Sequence, residues 1–140
     1  MLVIDANILI RAVLGRKVVA LLRRYAGICE FAAPVQAFRE AREELPAILF
    51  RRSMPVDAGL AALDATRRLV SAIDLEVYSP MEAKARQRLF RRDEDDWPIL
   101  ATALALNLPI WTEDTDFFGS GVATWTSDRV ELYLAEASTA

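Results

Sequence analysis

Hydrophobic residues follow two patterns along the 140-residue chain: short apolar runs, typical of buried strands, and longer segments with helical spacing. The short runs predict strands at residues 2–4, 28–33, 75–78, 109–111 and 122–125. The helical spacing predicts helices at about residues 8–14, 16–25, 34–52, 57–71, 80–90, 98–106 and 128–134. Strands that alternate with helices are typical of a mainly parallel sheet covered on both faces. The pattern therefore predicts one domain over residues 1–140 with an α/β fold, a three-layer α/β/α sandwich around a central, mainly parallel sheet.

Two helix starts are marked by local signals. The segment Ser79-Pro80-Met81-Glu82 combines a capping box with proline at the first helical position. Pro98 likewise suits the first turn of a helix that Asp95 or Asp96 could cap. Helices are therefore expected to begin close to these two prolines.

Acidic residues are concentrated at the ends of predicted elements between residues 93 and 118. This segment holds seven of the 20 acidic residues, at both ends of an apolar helix and strand. The predicted strand 109–111 runs directly into a loop that contains Asp114 and Asp116. Ligands of open α/β sheets bind at the carboxyl ends of the strands. A cluster of carboxylates at that edge indicates a cation site.

Three further acids lie where a parallel sheet can bring them to the same edge. Asp5 follows the first strand, Glu40 lies on the helix after the second, and Asp96 lies at a helix start. Carboxylates gathered there would repel one another unless Mg²⁺ or Mn²⁺ neutralised them. Simpler interpretations remain open, because Asp5 could merely cap the next helix. Glu40 could belong to a solvated face on which Arg39 pairs with Glu43.

The composition excludes several kinds of catalytic and metal-binding site. The chain has no histidine, which excludes Ser-His and Cys-His nucleophile pairs, the two-histidine ribonuclease mechanism and histidine-ligated metals. Cys29 is the single cysteine, so an intrachain disulfide and a cysteine-rich zinc site are excluded as well. Hydrolysis by this chain would therefore depend on carboxylates and a hard cation.

Composition also bears on location and assembly. No apolar run approaches the roughly 18 residues of a membrane span, and the N-terminus lacks the features of a signal peptide. We therefore expect a cytoplasmic protein with no membrane partner. Hydrophobic residues make up 54% of this small chain, which suggests a further buried patch and hence a homodimer.

Basic residues form one dense cluster directly before the acidic segment. Arginine, whose fork suits phosphate, supplies 15 of the 17 basic side chains, while the net charge of −3 argues against binding over the whole surface. Arg86, Arg88, Arg91 and Arg92 are expected to hold the phosphates of a phosphodiester substrate beside the acidic site. The alternative is a helix that simply exposes its arginines to solvent.

Four segments in a fixed order carry a resemblance to a known family. They are VIDANIL at residues 3–9, the spacing from Pro34 to Glu40, DDWPILATALAL at residues 95–106 and IWTEDTDFF at residues 110–118. Each segment is weak alone, but the ordered set extends over nearly the whole chain. The chain resembles the PIN-domain nucleases, which include the VapC-like toxins of bacterial toxin–antitoxin systems.

The resemblance implies roles for individual residues. It places catalytic and metal-binding acids at Asp5, Glu40, Asp96, Asp114 and Asp116, and supporting polar residues at Asn7 and Thr112. Glu43 and Glu44 are alternatives to Glu40. Asp95 is the alternative to Asp96, although counting back from residues 101–103 favours Asp96.

The implied function is metal-dependent hydrolysis of RNA phosphodiester bonds, with Mg²⁺ or Mn²⁺ as the cofactor. The implied partners are an RNA substrate, held by the arginine cluster, and a protein antitoxin. VapC-like toxins also commonly pair, which agrees with the expected homodimer.

Two other classes of protein compete with this interpretation. Receiver domains and haloacid-dehalogenase-like phosphatases also place an aspartate after the first strand, but the latter need Asp-x-Asp where this chain has Asp5-Ala6-Asn7. Both need a lysine late in the chain, and the only lysines are Lys17 and Lys84. The third possibility is a non-catalytic RNA-binding module, which metal-dependent cleavage of RNA would exclude.

Overall fold

The computed structural model describes residues 1–139, in which five short strands form one sheet. The strands are β1 (Leu2–Ile4), β2 (Phe31–Pro34), β3 (Val70–Ile73), β4 (Ile110–Trp111) and β5 (Thr124–Trp125). They are ordered β3-β2-β1-β4-β5, and every neighbouring pair is parallel. All three residues of β1 are fully buried, so the first strand in sequence is the centre of the core.

Helices cover both faces of this sheet. They are α1 (Ala6–Leu14), α2 (Lys17–Tyr25), α3 (Val35–Arg51), α4 (Val56–Thr66), α5 (Leu75–Tyr78), α6 (Glu82–Arg88), α7 (Trp97–Leu106) and α8 (Val130–Thr139). Helices α1 to α4 pack on one another, and α5 and α6 pack on α7. Because crossovers between parallel strands are right-handed, the two groups lie on opposite faces. The predicted α/β class and three-layer arrangement are confirmed.

The strand order reverses between β1 and β4. The chain moves outward from β1 through β2 to β3, and then returns to place β4 on the other side of β1. The segments that follow β1 and β4 therefore leave the sheet side by side, and the N–H of Asp5 donates to the carbonyl of Trp111 at 3.4 Å. Crevices at such a reversal are where open α/β sheets bind ligands.

Residues 75–78 form helix α5, so the strand predicted there is wrong. The third strand is Val70–Ile73, which pairs with β2 along its whole length. Leu75 and Val77, which alternate with Glu76 in the predicted strand, are exposed. Four residues are too few for their spacing to distinguish a strand from a helical turn, and pairing with β2 decides which segment forms the strand.

Two predicted helix boundaries are also wrong. Helix α4 ends at Thr66 rather than near residue 71, because the following residues are used by β3. The capping box does not form, since Ser79–Met81 is a 3₁₀ turn without a side-chain cap. Glu82 pairs instead with Arg86, with 3.0 Å between Nε and Oε2.

None of the helices within residues 1–139 is both long enough and apolar enough to cross a membrane.

Candidate metal centre

Asp5 lies at the junction of β1 and α1, and both oxygens of its carboxylate are used inside the protein. Oδ1 accepts the N–H of Ile8 at 3.0 Å, which caps α1, and Oδ2 accepts the hydroxyl of Thr112. The residue is only 5% exposed. Capping the helix and facing the other acids are therefore compatible roles, because each uses a different oxygen.

Thr112 connects Asp5 to the acidic loop that follows β4. Its buried hydroxyl donates to Asp5 and accepts the N–H of Asp114 at 2.9 Å. Asp114 Oδ1 accepts the N–H of Asp116 at 2.9 Å, which begins a 3₁₀ turn over Thr115–Phe117. A continuous hydrogen-bonded path thus runs from the end of β1 to Asp116.

Three carboxylates from two loops come together beside this path. Asp96 precedes α7, while Asp114 and Asp116 follow β4, and one carboxylate oxygen of each lies within 4.8 Å of the other two. Asp96 occupies the N-cap position of α7 but makes no side-chain cap hydrogen bond. Its carboxylate is therefore available to the cluster. Within residues 1–139 this is the only group of three or more such ligands at this spacing.

Glu40 borders the cluster from α3. The residue is half-buried and lines a cleft of about 620 Å³ between α3, α5 and the start of α7. Its charge acts on both Asp5 and Asp96. Glu40 and Asp5 lie outside the group of three closely spaced ligands, but they share its electrostatic environment.

The acids that are alternatives to these positions are more exposed. Glu43 and Glu44 point from α3 into solvent at the rim of the cleft. Asp95 is exposed too, whereas Asp96 is half-buried. The geometry favours Glu40 and Asp96 as members of the site.

Crowding and burial raise the pKa values of these carboxyl groups. Burial, followed by the charges of Asp114 and Glu40, raises the pKa of Asp5 from 3.8 to about 6, although its hydrogen bonds oppose the rise. Burial, followed by a hydrogen bond with Asp114, raises the pKa of Asp96 to about 8. Burial and the charge of Glu44 raise the pKa of Glu40. In the chain alone, therefore, ionisation of these three groups is disfavoured relative to ordinary carboxyl groups.

The donor set fits a hard divalent cation. Mg²⁺ and Mn²⁺ prefer carboxylate oxygens, and the three closely spaced ligands all supply them. A positive charge among these groups would offset the repulsion between the negatively charged carboxylates. The residues present are consistent with Mg²⁺ or Mn²⁺ rather than a metal that needs nitrogen or sulfur ligands.

Arg88 and Arg92 hold the loop that follows the acids. Arg92 Nη1 donates to the carbonyl of Asp116 at 2.6 Å and also to the carbonyl of Phe118. Arg88 Nη1 donates to the carbonyl of Ser120 at 2.9 Å. A Cβ atom on Gly121 would lie 2.7 Å from Arg88 Nη1, so glycine leaves room for the guanidinium group. These contacts fix the path of the chain directly after the cluster.

The other two arginines of the predicted RNA-binding cluster differ in their surroundings. Arg86 pairs with Glu82, and its guanidinium carbon lies 5.4 Å from the centre of the Trp97 ring. Arg91 is exposed, lies over the ring of Phe90, and has no polar side-chain partner among residues 1–139. Three of the four arginines thus have polar partners within the chain, and their binding to RNA stays a prediction.

Asn7 and Thr112, the two predicted supporting residues, are placed differently. Thr112 lies between Asp5 and Asp114, as described above. Asn7 is exposed on the first turn of α1 and lines a separate cleft with Arg11. A supporting role for Asn7 at the acids therefore stays a prediction.

Two residues at the site were not identified from the sequence. The charge of Asp93 raises the pKa values of both Glu40 and Asp96, and a hydrogen bond from Gln36 lowers the pKa of Glu40. Asp93 begins the acidic run before α7, and Gln36 precedes Glu40 by one helical turn. The position of Asp93 in the acidic run and the four-residue spacing between Gln36 and Glu40 were the signals that the sequence offered.

Comparison with known proteins agrees with this fold. A family model of the PIN domain matches residues 3–135. One chain in the crystal structure of VapBC2 from Rickettsia felis, bound to a DNA fragment from their promoter, is 16% identical. The match covers 89% of this chain and 96% of that chain, with a TM-score of 0.68, and shows that the fold is shared. A comparison with curated proteins gives no match. The chain belongs to the PIN-domain family.

Proposed function

We propose that this protein is a ribonuclease that depends on Mg²⁺ or Mn²⁺ and hydrolyses RNA phosphodiester bonds. The observation that carries the proposal is the group formed by Asp96, Asp114 and Asp116, whose ligand oxygens lie within 4.8 Å of one another. The group lies at the reversal of the strand order, beside Asp5 and Glu40. Membership of the PIN-domain family supports a nuclease rather than a phosphatase or a receiver domain.

Each acid has its own part in the proposed reaction. Asp96, Asp114 and Asp116 hold the cation, which when bound supplies Lewis-acid stabilisation of the phosphate charge and activates water. Asp5 holds the end of β4 through Thr112 and so fixes Asp114. Glu40 closes the opposite side of the site. Asp96, which is not used as a helix cap, orients the attacking water together with Asp116.

We also propose a toxin-like role with a protein antitoxin as partner, in the cytoplasm, and a homodimeric assembly. The fold is shared with a chain of VapBC2, which was solved with DNA from the promoter of its own components. The homodimer is supported by exposed apolar residues, the most exposed of which is Phe50, at 80%.

Cleavage of a single-stranded RNA with Mg²⁺, with Mn²⁺ and with chelator tests the proposed activity. Asp96→Asn should lower the cleavage rate by about 100-fold or more while RNA affinity stays similar or rises, because it removes negative charge from the site. The exposed neighbour Asp95 supplies the matched control, and Asp95→Asn should retain most of the activity. Equal cleavage in chelator and in Mg²⁺ would contradict the proposal.

Glu40→Gln and Glu44→Gln form a second matched pair on one helix face. Glu40→Gln should impair cleavage and Glu44→Gln should not, because the Glu40 charge acts on both Asp5 and Asp96, whereas Glu44 is exposed at the rim of the cleft. The reverse result would assign the position to Glu44.

A further inference from the structure

A groove that contains five basic side chains lies beside the candidate metal centre, between α1 and the end of α3. It consists of two adjoining clefts of about 520 and 590 Å³. Both clefts are lined by Arg11, Leu14, Arg52 and Glu113. We call this feature the α1–α3 basic groove.

The positive charges of the groove are available to a ligand. Arg11, Arg16, Arg51 and Arg52 are exposed and take part in none of the ion pairs or side-chain hydrogen bonds within residues 1–139. The two acidic residues of the groove are occupied, because Glu113 Oε1 accepts the N–H of Ser127 at 2.6 Å and Asp128 pairs with Lys17 at 3.1 Å. Four arginines without partners therefore line the groove in a protein whose net charge is −3.

The groove is connected to the acids by a stripe of side chains along α3. Glu40, Glu44, Ile48 and the C-cap residue Arg52 follow one another at intervals of four residues, so each lies about one turn beyond the one before it. Glu40 and Glu44 line the acidic cleft, and Ile48 and Arg52 line the groove. The rise of an α-helix places the two ends of this stripe about 18 Å apart.

Helix α1 forms the other wall and also begins at the acids. Asp5 is its N-cap, Asn7 lines the groove at the first turn, and Arg11 lies one turn further on. Glu113, which lines both clefts, immediately precedes Asp114. A nucleic-acid strand that extends from the metal centre in this direction would pass arginines on both walls of the groove.

We propose that the α1–α3 basic groove binds the phosphate backbone of single-stranded RNA and so carries the substrate away from the metal centre. The proposal rests on the proposed ribonuclease function, whose substrate path it specifies. Charge complementarity selects a polyanion as the occupant. The Arg86–Arg92 segment is less suited to this task, because three of its four arginines already bind the chain itself.

Equilibrium binding of a labelled single-stranded RNA of mixed sequence tests the groove separately from cleavage. The protein carries Asp96→Asn and the buffer contains chelator, so affinity is measured without hydrolysis. Arg11→Gln with Arg52→Gln should weaken binding and reduce the salt slope by about 1.4, since each phosphate contact to a single strand contributes about 0.7. Arg23→Gln with Arg68→Gln removes the same charge from exposed positions elsewhere and should leave the slope unchanged.

The outcomes separate this proposal from the function on which it rests. An unchanged affinity and salt slope in Arg11→Gln/Arg52→Gln, with normal cleavage by the parent protein, would overturn only the proposal that the groove binds RNA. Loss of binding in this variant, with no cleavage by the parent protein, would overturn the proposed ribonuclease activity and leave RNA binding by the groove supported. Binding of poly-glutamate but not RNA would make the groove a peptide site and overturn the proposal. Melting temperatures verify that both double variants fold.

Discussion

Thr112 shows how one buried hydroxyl determines the geometry of several acids. It donates to Asp5 and accepts from the N–H of Asp114, so its removal leaves two buried polar groups without partners. The sequence indicated Thr112 only through the family resemblance, because a threonine after a strand has no distinctive pattern. The hydrogen bond from Thr112 to Asp5 joins residues 107 positions apart in the chain, which local patterns do not reveal.

Thr112→Val should destabilise the protein by roughly 2 to 4 kcal/mol, as each unsatisfied buried group costs about 1 to 3 kcal/mol. Thr112→Ser keeps the hydroxyl and should restore most of that stability. Denaturant unfolding of both variants measures the difference. If valine and serine proved equally destabilising, local packing would be the cause, and the hydrogen-bonded path would contribute little to stability.

Asp5 should make the metal-free protein less stable as the pH rises. Its folded pKa of about 6 exceeds the ordinary value of 3.8, so the native state binds the proton more tightly than the unfolded chain. The contribution is complete below pH 3.8 and is lost as the pH rises through about 6. It amounts to roughly 3 kcal/mol, at 1.36 kcal/mol per pH unit.

Unfolding in chelator from acidic to neutral pH, for the parent protein and Asp5→Asn, checks this dependence. The stability of the parent relative to Asp5→Asn should fall over that range, since asparagine does not ionise. Asp57→Asn, at an exposed position on α4, controls for a general change in charge. A parent protein that gained stability relative to Asp5→Asn with rising pH would contradict the prediction.

Among the elements, strands with strong flanking signals were predicted well and the third strand was not. β1 and β4 are apolar runs that end in acids, and both lie where the pattern placed them. β3 contains Ser71 and Ala72, which carry little strand signal of their own, and forms because β2 offers an edge to pair with. Such pairing joins distant parts of the chain, so the spacing of hydrophobic residues does not reveal it.

Arg92 should stabilise the loop that carries Asp116. Arg92→Gln removes donors to the carbonyls of Asp116 and Phe118, and should cost about 1 kcal/mol of stability and weaken the response to Mg²⁺. Arg91→Gln is the matched control, because the adjacent Arg91 side chain makes no such bond within residues 1–139. Thermal melting with and without Mg²⁺ measures both effects, and identical behaviour of the two variants would refute the role of Arg92.

At the scale of the whole molecule, the outer face of α4 is the surface that best suits a homodimer. Four alanines at helical spacing are exposed there: Ala58, Ala61, Ala62 and Ala65. Gly59 on the other face packs against Leu49 and holds α4 on α3. Small side chains let two helices approach closely, and the exposed Phe50 lies at the end of the neighbouring helix.

Light scattering should give twice the chain mass of 15.6 kDa. Ala61→Glu should convert the dimer to a monomer by placing a charge in the contact, whereas Ala135→Glu on the exposed side of α8 should not. A parent protein that stays monomeric at high micromolar concentration would contradict the predicted homodimer. A dimer that tolerates Ala61→Glu would show that the interface does not lie on the outer face of α4.

The central position of β1 has a consequence for the order in which the protein is made. Synthesis releases β1, Asp5 and Glu40 first, but Val3 pairs with Ile110, so this side of the sheet stays open until β4 has left the ribosome. A nascent or prematurely terminated chain that ends before Asp114 lacks two of the three closely spaced acids. Under the proposed function, a nascent chain therefore cannot cleave its own message until Asp114 and Asp116 have been synthesised.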